Sequence, residues 1–159
     1  MRETRSRYKH QTLIFREERP MSHFVVDPRI ETSSILIGDL SLCQVRLQND
    51  VRFPWLVLLP KRAGLTELTE LSEAEHADLR HDLLMAEGLV RRTAEVLERP
   101  VSKLNIANLG NIVAQLHIHV IARYDQDAAW PGPVWGFGAA ETFTPAQQNT
   151  LIEALKALI

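Results

Sequence analysis

Two histidines two residues apart, His117 and His119, sit in the stretch GNIVAQLHIHVIAR (110–123), each flanked by branched apolar residues. On an extended strand, residues i and i+2 point to the same face. Gln115, His117 and His119 therefore form one polar row, with Leu116, Ile118 and Val120 opposite, the alternation of a strand with one face in a core and the other over a site. Ile121 breaks the parity, as expected where both faces become buried. Three readings fit this row. A neutral imidazole, with an ordinary pKa of about 6.5, can attack an activated phosphorus or carbonyl carbon. The loop Asn108–Asn111 at the entry to the strand offers side-chain amides and a glycine-permitted backbone approach, the donors a phosphoryl group needs. Alternatively, side chains ~6.6 Å apart along a strand can converge on one metal ion if a third ligand comes from elsewhere, and no third His or Cys has an obvious claim. The third reading is a pair of hydrogen-bonded histidines on a half-buried face, and the spacing alone does not choose.

The elements that must position this row can be read from turn residues and periodicity. After Asp27-Pro28 come short β-type runs at Ser34–Ile37, Leu40–Leu47 and Trp55–Leu59, separated by Gly38-Asp39 and Asn49-Asp50, which predicts an antiparallel meander. Pro54 lacks a ladder donor and marks the start of the third strand or a sheet edge. Lys61–Gly64 is a basic loop that either meets a phosphate or is a solvated turn. Ser72 and Glu75 form a capping box ahead of a long helix that closes before Pro100, with Ala74, Ala77, Leu83, Leu84, Leu89, Val90, Ala94 and Leu97 as its apolar stripe. His76 and His81 on that helix share no face and read as surface residues. Two further β-type runs follow at Leu104–Ala107 and Val113–Ala122. Next comes a Trp/Pro loop, Ala129–Gly136, whose indoles either wall a pocket for a planar base or cover the core edge. Thr144 as N-cap, with Pro145 at the first position, starts a last helix with Leu151, Ala154, Leu155 and Leu158 inward.

Composition narrows the class. A chain of 159 residues, 45% hydrophobic and 24% charged, has the length of one domain, long enough to bury on the order of 70% of its unfolded surface without a disulfide or metal staple. The net charge of −2 provides no general attraction for nucleic acid. Residues 1–20 carry six basic and three acidic side chains, a local +3 that leaves −5 on the rest, and are expected to be a mobile extension ahead of a single domain at 21–159. The single cysteine, Cys43, lies in a strand-like run and reads as a buried, inert thiol. With no apolar run of ~20 residues and no secretory leader, the expected compartment is the cytoplasm.

Taken together, these motifs resemble the histidine-triad family of nucleotidyl hydrolases and transferases. Its signature, His-φ-His-φ-His-φ-φ after a Gly-Gln or Gly-Asn pair, reads here as Gly110-Asn111 followed by Gln115-Leu-His117-Ile-His119-Val-Ile. The resemblance spans roughly residues 21–136. It includes Asn49-Asp50 between two early strands, Leu58–Lys61 closing a strand, the long helix, Asn105–Asn111 as Asn-x-x-Asn-x-Gly-Asn, and the Trp130-Pro131 loop. It implies that His117 is the nucleophile of a nucleotidyl–histidine intermediate, that His119 contacts the phosphate, that Asp50 holds the ribose hydroxyls, and that Asn108, Gly110 and Asn111 form the phosphate-side loop. It further implies an α+β fold, a five- to six-stranded mostly antiparallel sheet with one long helix and a C-terminal helix. A nucleotide substrate and a homodimer go with it, with no nucleic-acid or membrane partner and no required cofactor, a divalent metal being admissible with the substrate phosphates. The sequence departs from the family at Gln115, which stands at the first triad position, and at Ala63, where many members place a histidine. Glutamine cannot carry a proton through a pKa near 7. Leaving groups of low basicity, such as the phosphates of dinucleoside polyphosphates, are then favoured over amines. The competing expectations are a nucleotide sensor without useful turnover and, more remotely, a metal-binding protein. A chain starting at Met21 is expected to keep full activity, measured on whichever nucleotide conjugate the intact chain turns over; a large loss would overturn the reading of residues 1–20.

Overall fold

The computed structural model describes residues 23–159, so the expectation for residues 1–20 lies outside the described residues. The elements run α1 (Pro28–Ser33), β1 (Ser34–Asp39), β2 (Cys43–Gln48), β3 (Trp55–Pro60), a 3-10 turn at Leu68–Glu70, α2 (Glu73–Val96), β4 (Lys103–Asn108), β5 (Ile118–Arg123) and α3 (Pro145–Lys156). The fold is α+β. Five strands form one antiparallel sheet in the order β1-β2-β3-β5-β4. The first three are the meander that the turn residues foretell, and α2 then carries the chain to the far edge. From there β5 returns between β3 and β4 and is paired on both sides.

Each capping signal in the sequence forms. Ser72 Oγ accepts from the Glu75 amide at the head of α2, and Thr144 Oγ1 accepts from the Gln147 amide at the head of α3. Pro54 immediately precedes β3, and its carbonyl accepts from the Ala122 amide at 2.9 Å. Other expectations need correction. The strand foreseen at Val113–Ala122 begins only at Ile118, because residues 113–117 pair with loops and the N-terminal segment instead of a neighbouring strand. Residues 40–42 form a turn, with β1 continuing through a bulge between Leu36 and Gly38. The buried face of α2 is Leu79, Asp82, Ala86, Leu89, Val90, Thr93 and Ala94, leaving Ala74, Ala77 and Leu84 in solvent. Asp82 belongs to that face because its carboxylate accepts from the amides of Ser41, Leu42 and Cys43 and so closes the β1–β2 turn. In α3, Leu151 and Leu155 are buried, whereas Leu158 falls beyond the last helical turn and is exposed. His76 and His81 are on the surface, and Cys43 is buried, its thiol pKa pushed up by burial.

The sheet separates two apolar layers. Helices α2 and α3 cover one face, over Val45, Leu47, Leu56, Leu58, Ile118, Val120 and Ala122. The other face carries Trp55, Val57, Leu59 and Ile121, covered by Phe24 and Val26, by Ile30 of α1, and by Ala129, Val134 and Trp135 of the Trp/Pro loop. That loop is pinned by one cation. Arg123, at the end of β5 and 2% exposed, forms a two-point ion pair with Asp127 (2.6 and 2.9 Å) and donates to Asn105 Oδ1 (2.8 Å) and the Gly132 carbonyl (2.9 Å). Its guanidinium also lies 5.8 Å from the Trp130 ring centroid. Removing one partner of such a pair strands the other charge inside the protein. Asp127→Ala should therefore cost about 3–5 kcal/mol in urea-induced unfolding and loosen the loop that carries Trp135, seen as a red shift of indole emission; unchanged stability would show that Arg123 does not hold this loop.

Candidate active site

The site is built on the face of the sheet covered by α1. His119 on β5 is paired with Val57 on β3, and Trp55 is one same-face position further along β3. Diagonal neighbours on one face are within reach of a long aromatic side chain. The Trp55 indole N–H donates to His119 Nδ1 at 3.0 Å. An indole nitrogen is a donor only, so neutral His119 must carry its proton on Nε2. Burial, and then the charge of His117, lower the His119 pKa from 6.5 to about 3, so the ring is neutral at physiological pH. Trp135 closes around the same ring, with centroid distances of 5.3 Å to His119 and 5.9 Å to Trp55.

His117 precedes β5 by one residue. Its Nδ1 lies 2.6 Å from the carbonyl of Gln115, an acceptor only, which puts the proton on Nδ1 and leaves an electron pair on Nε2. The His117 and His119 rings meet edge to face, centroids 4.8 Å apart. The two imidazoles thus have opposite tautomers. His117 presents a lone pair and His119 an N–H, both at Nε2. A tetrahedral anion against this pair would meet a nucleophile and a neutral donor together.

Both rings line a cavity of about 360 Å³, the size of a small-molecule site. Its apolar wall is Ile30, Val57, Leu109, Ile112 and Val113 with the two tryptophans, and its polar contacts are Arg29, Ser33, Gln48 and Asn111 beside the histidines. A second, more polar depression of about 380 Å³ shares Leu109 and Asn111 with it and adds Thr66, Glu67, Asn108, Gly110 and Ala114. Of the expected site residues, His117, His119 and Asn111 come together in the first cavity, and Asn108 and Gly110 lie in the second.

The others are placed elsewhere. Asp50 is buried, both oxygens engaged by the Arg52 guanidinium (2.8 and 2.7 Å), and does not line the cavity. Asn49 accepts from the Phe143 amide and Asn105 from Arg123, both holding the fold together. Trp130 sits over Arg123 while Trp135, from the same loop, reaches the cavity. The side chain of Gln115 leaves the histidine row altogether: its Oε1 accepts from the Asp27 amide and its Nε2 donates to the Val25 carbonyl, each at 2.8 Å. The expected row of three is therefore a row of two, because the backbone of Val25 and Asp27 takes both polar atoms of the Gln115 side chain. The basic loop is also turned away, Lys61 to the Leu40 carbonyl and Asp39, Arg62 to Glu75. Among the described residues no group of three His, Cys, Asp or Glu side chains could hold a metal ion.

Sequence reasoning missed Arg29, Ser33, Gln48 and Trp55. The first two come from α1, whose signal was Asp27-Pro28, the same cap-plus-proline pair as Thr144-Pro145. Asp27 Oδ1 accepts from the Arg29 amide and pairs with the Arg29 side chain, which holds its carboxyl at about 2. Trp55 and Gln48 had only strand parity to mark them.

The HIT domain model matches residues 29–126. A histidine triad protein from Sinorhizobium meliloti 1021 of known crystal structure is 45% identical, with a TM-score of 0.78 over 88% of this chain and 100% of that one. Histidine triad proteins from Bradyrhizobium japonicum (37% identity, TM-score 0.76, 87% and 99% covered) and Marinobacter aquaeolei VT8 (35%, 0.75, 86% and 96%) are similar in the same way. No curated protein matches the chain. With a matching domain model over most of its length and near-complete relatives well above 30% identity, the chain belongs to the histidine triad (HIT) domain family.

Proposed function

We propose that this protein is a nucleotide-binding hydrolase or transferase that cleaves a nucleoside phosphate conjugate at its α-phosphate through a covalent nucleotidyl–histidine on His117. The observation that carries the reading is the pair of opposite tautomers, His117 with its lone pair and His119 with its N–H at Nε2, inside one cavity. The apolar wall suits a base, and Ser33 and Gln48 offer hydroxyl partners where Asp50 does not reach.

In the proposed reaction His117 Nε2 attacks the α-phosphorus in line, and the bond from phosphorus to the leaving group breaks with its electron pair going to the leaving group. Positive charge grows on the imidazole and is met by the Gln115 carbonyl at Nδ1–H. Charge on the non-bridging oxygens is met by His119 Nε2–H and Asn111, preorganised donors of the kind worth roughly 3 kcal/mol each in such a step. Water then attacks the phosphorus, the P–N bond breaks with its electron pair returning to Nε2, and the proton lost by the water passes to bulk solvent; a hydroxyl acceptor in place of water gives transfer.

No side chain at this point supplies the leaving group with a proton. His119 protonates only near pH 3, and both polar atoms of the Gln115 amide are engaged by backbone. The leaving group departs with its own charge, which favours phosphates such as those of a dinucleoside polyphosphate. The same observation supports a sensor that binds nucleotide without useful turnover, and a labelling experiment decides. Incubation with radiolabelled diadenosine polyphosphate and acid-free quenching should trap one adenylyl group on His117. His117→Ala should lose turnover by more than about 10³-fold while AMP binding stays within a few-fold. Label absent from the wild type, with AMP still bound, would leave the sensor.

The protonation of His119 offers an independent check. Its folded pKa is depressed, so the ring charges only as pH falls towards 3, well below the range in which an unfolded histidine does so. Nitrogen-15 NMR should find His119 in the neutral Nε2–H form from pH 8 to about 4. Trp55→Phe should release that tautomer and lower turnover roughly 10- to 100-fold, less than outright loss of a donor; a His119 that titrates near 6.5 would refute the assignment.

A further inference from the structure

Gln115 holds two parts of the site at once. Its main-chain carbonyl fixes the proton of His117 Nδ1 at 2.6 Å. Its carboxamide spans the backbone of the segment before α1, accepting from the Asp27 N–H and donating to the Val25 carbonyl. Because one partner is an N–H and the other a C=O, the amide has a single orientation that satisfies both. A carboxylate or imidazole at this position cannot make the same two bonds, since neither offers a carbonyl-type acceptor and an amide N–H donor side by side. The same segment is anchored a second time by Arg29, whose guanidinium donates to the Ile112 carbonyl at 2.7 Å and to Asp27. Beyond these two ties α1 contributes Ile30 and Ser33 to the cavity that contains His117.

We infer that Gln115 is a positioning residue: its side chain clips the segment before α1, and with it that wall of the nucleotide cavity, in place, while its main-chain carbonyl sets the tautomer of the nucleophile. This rests on the nucleotide reading of the cavity and adds the reason why a residue without proton-carrying capacity occupies the position. The wall and the nucleophile are joined through one residue, so the clip controls how well the nucleotide is held and leaves the chemical step to the histidines. Loss of the side chain removes two hydrogen bonds to the wall and none to the reacting atoms.

The test uses the full chain and its Gln115→Ala and Gln115→Glu variants. AMP titrated against the indole emission of Trp55 and Trp135 is expected to bind about tenfold more weakly to Gln115→Ala, the worth of one to two modest hydrogen bonds. Turnover of the p-nitrophenyl ester of AMP should show KM raised by a similar factor, with kcat within threefold. Gln115→Glu, which keeps the acceptor for Asp27 but opposes the Val25 carbonyl, should not rescue. Hydrogen exchange should lose protection at the Asp27 amide and across residues 28–33 in both variants, with β3 and β5 unchanged. Unchanged AMP affinity, or a 100-fold fall in kcat at constant KM, would overturn the inference and give Gln115 a direct role in the reaction. Wild-type protein that binds no AMP would instead sink the nucleotide reading, and the exchange at Asp27 would still decide whether Gln115 holds α1.

Discussion

The contact on which the site depends is the hydrogen bond from the Trp55 indole to His119. Its chemistry allows one direction, and from that direction follow the tautomer of His119 and the N–H it carries on Nε2, while burial and then the charge of His117 keep the ring neutral near pH 7. The bond requires the register in which Val57 faces His119 and Trp55 faces Ile121. A slip of one residue between β3 and β5 turns Trp55 to the opposite face of the sheet. Register is secured in turn by the apolar residues that alternate with these groups, Leu56 and Leu58 on β3 and Ile118 and Val120 on β5, all packed under α2. The electrostatics of the site thus rest on core packing on the far side of the sheet.

The site is unusual in how little formal charge it holds. Arg29 is the one cation lining the main cavity among the described residues, and its charge is shared with Asp27. Lysine and arginine of the Lys61–Arg62 loop are spent on the β1–β2 turn and on Glu75. A phosphate bound here, as proposed, would meet Arg29 and the neutral donors of His119 and Asn111 in low-dielectric surroundings, where each donor is stronger than in water and an ill-placed group is costly. Hydrogen bonds in such surroundings depend on geometry more than on attraction at a distance. The placement of α1 accordingly matters to the cavity more than its six residues would imply.

What the sequence made legible and what it did not can be sorted by the range of the interactions involved. The alternation around His117 and His119 is local, and the faces it assigned to Leu116, Ile118, Val120 and Ile121 are the faces observed. Capping at Ser72 and Thr144 is local too, and both helices start where those residues place them. The side chain of Gln115 leaves the histidine row because its partners, Val25 and Asp27, are about ninety positions away in an irregular segment that has no period to read. Asp50 has the residue type for ribose binding, but Arg52 two positions on takes both its oxygens, an outcome visible only once the turn is built. Trp55 carried no signal beyond its parity, since every residue of β3 is buried.

The insertion of β5 between β3 and β4 has a consequence for the chain before it is complete. The first three strands pair in order, and until β5 arrives the inner edge of the meander is β3, WLVLLP, with no charged side chain along it. An apolar, unprotected edge of this kind is a template for pairing with other chains. It is covered in the finished fold by the strand that carries His119 and directly follows His117, so the segment that builds the site also silences an apolar edge open to self-association.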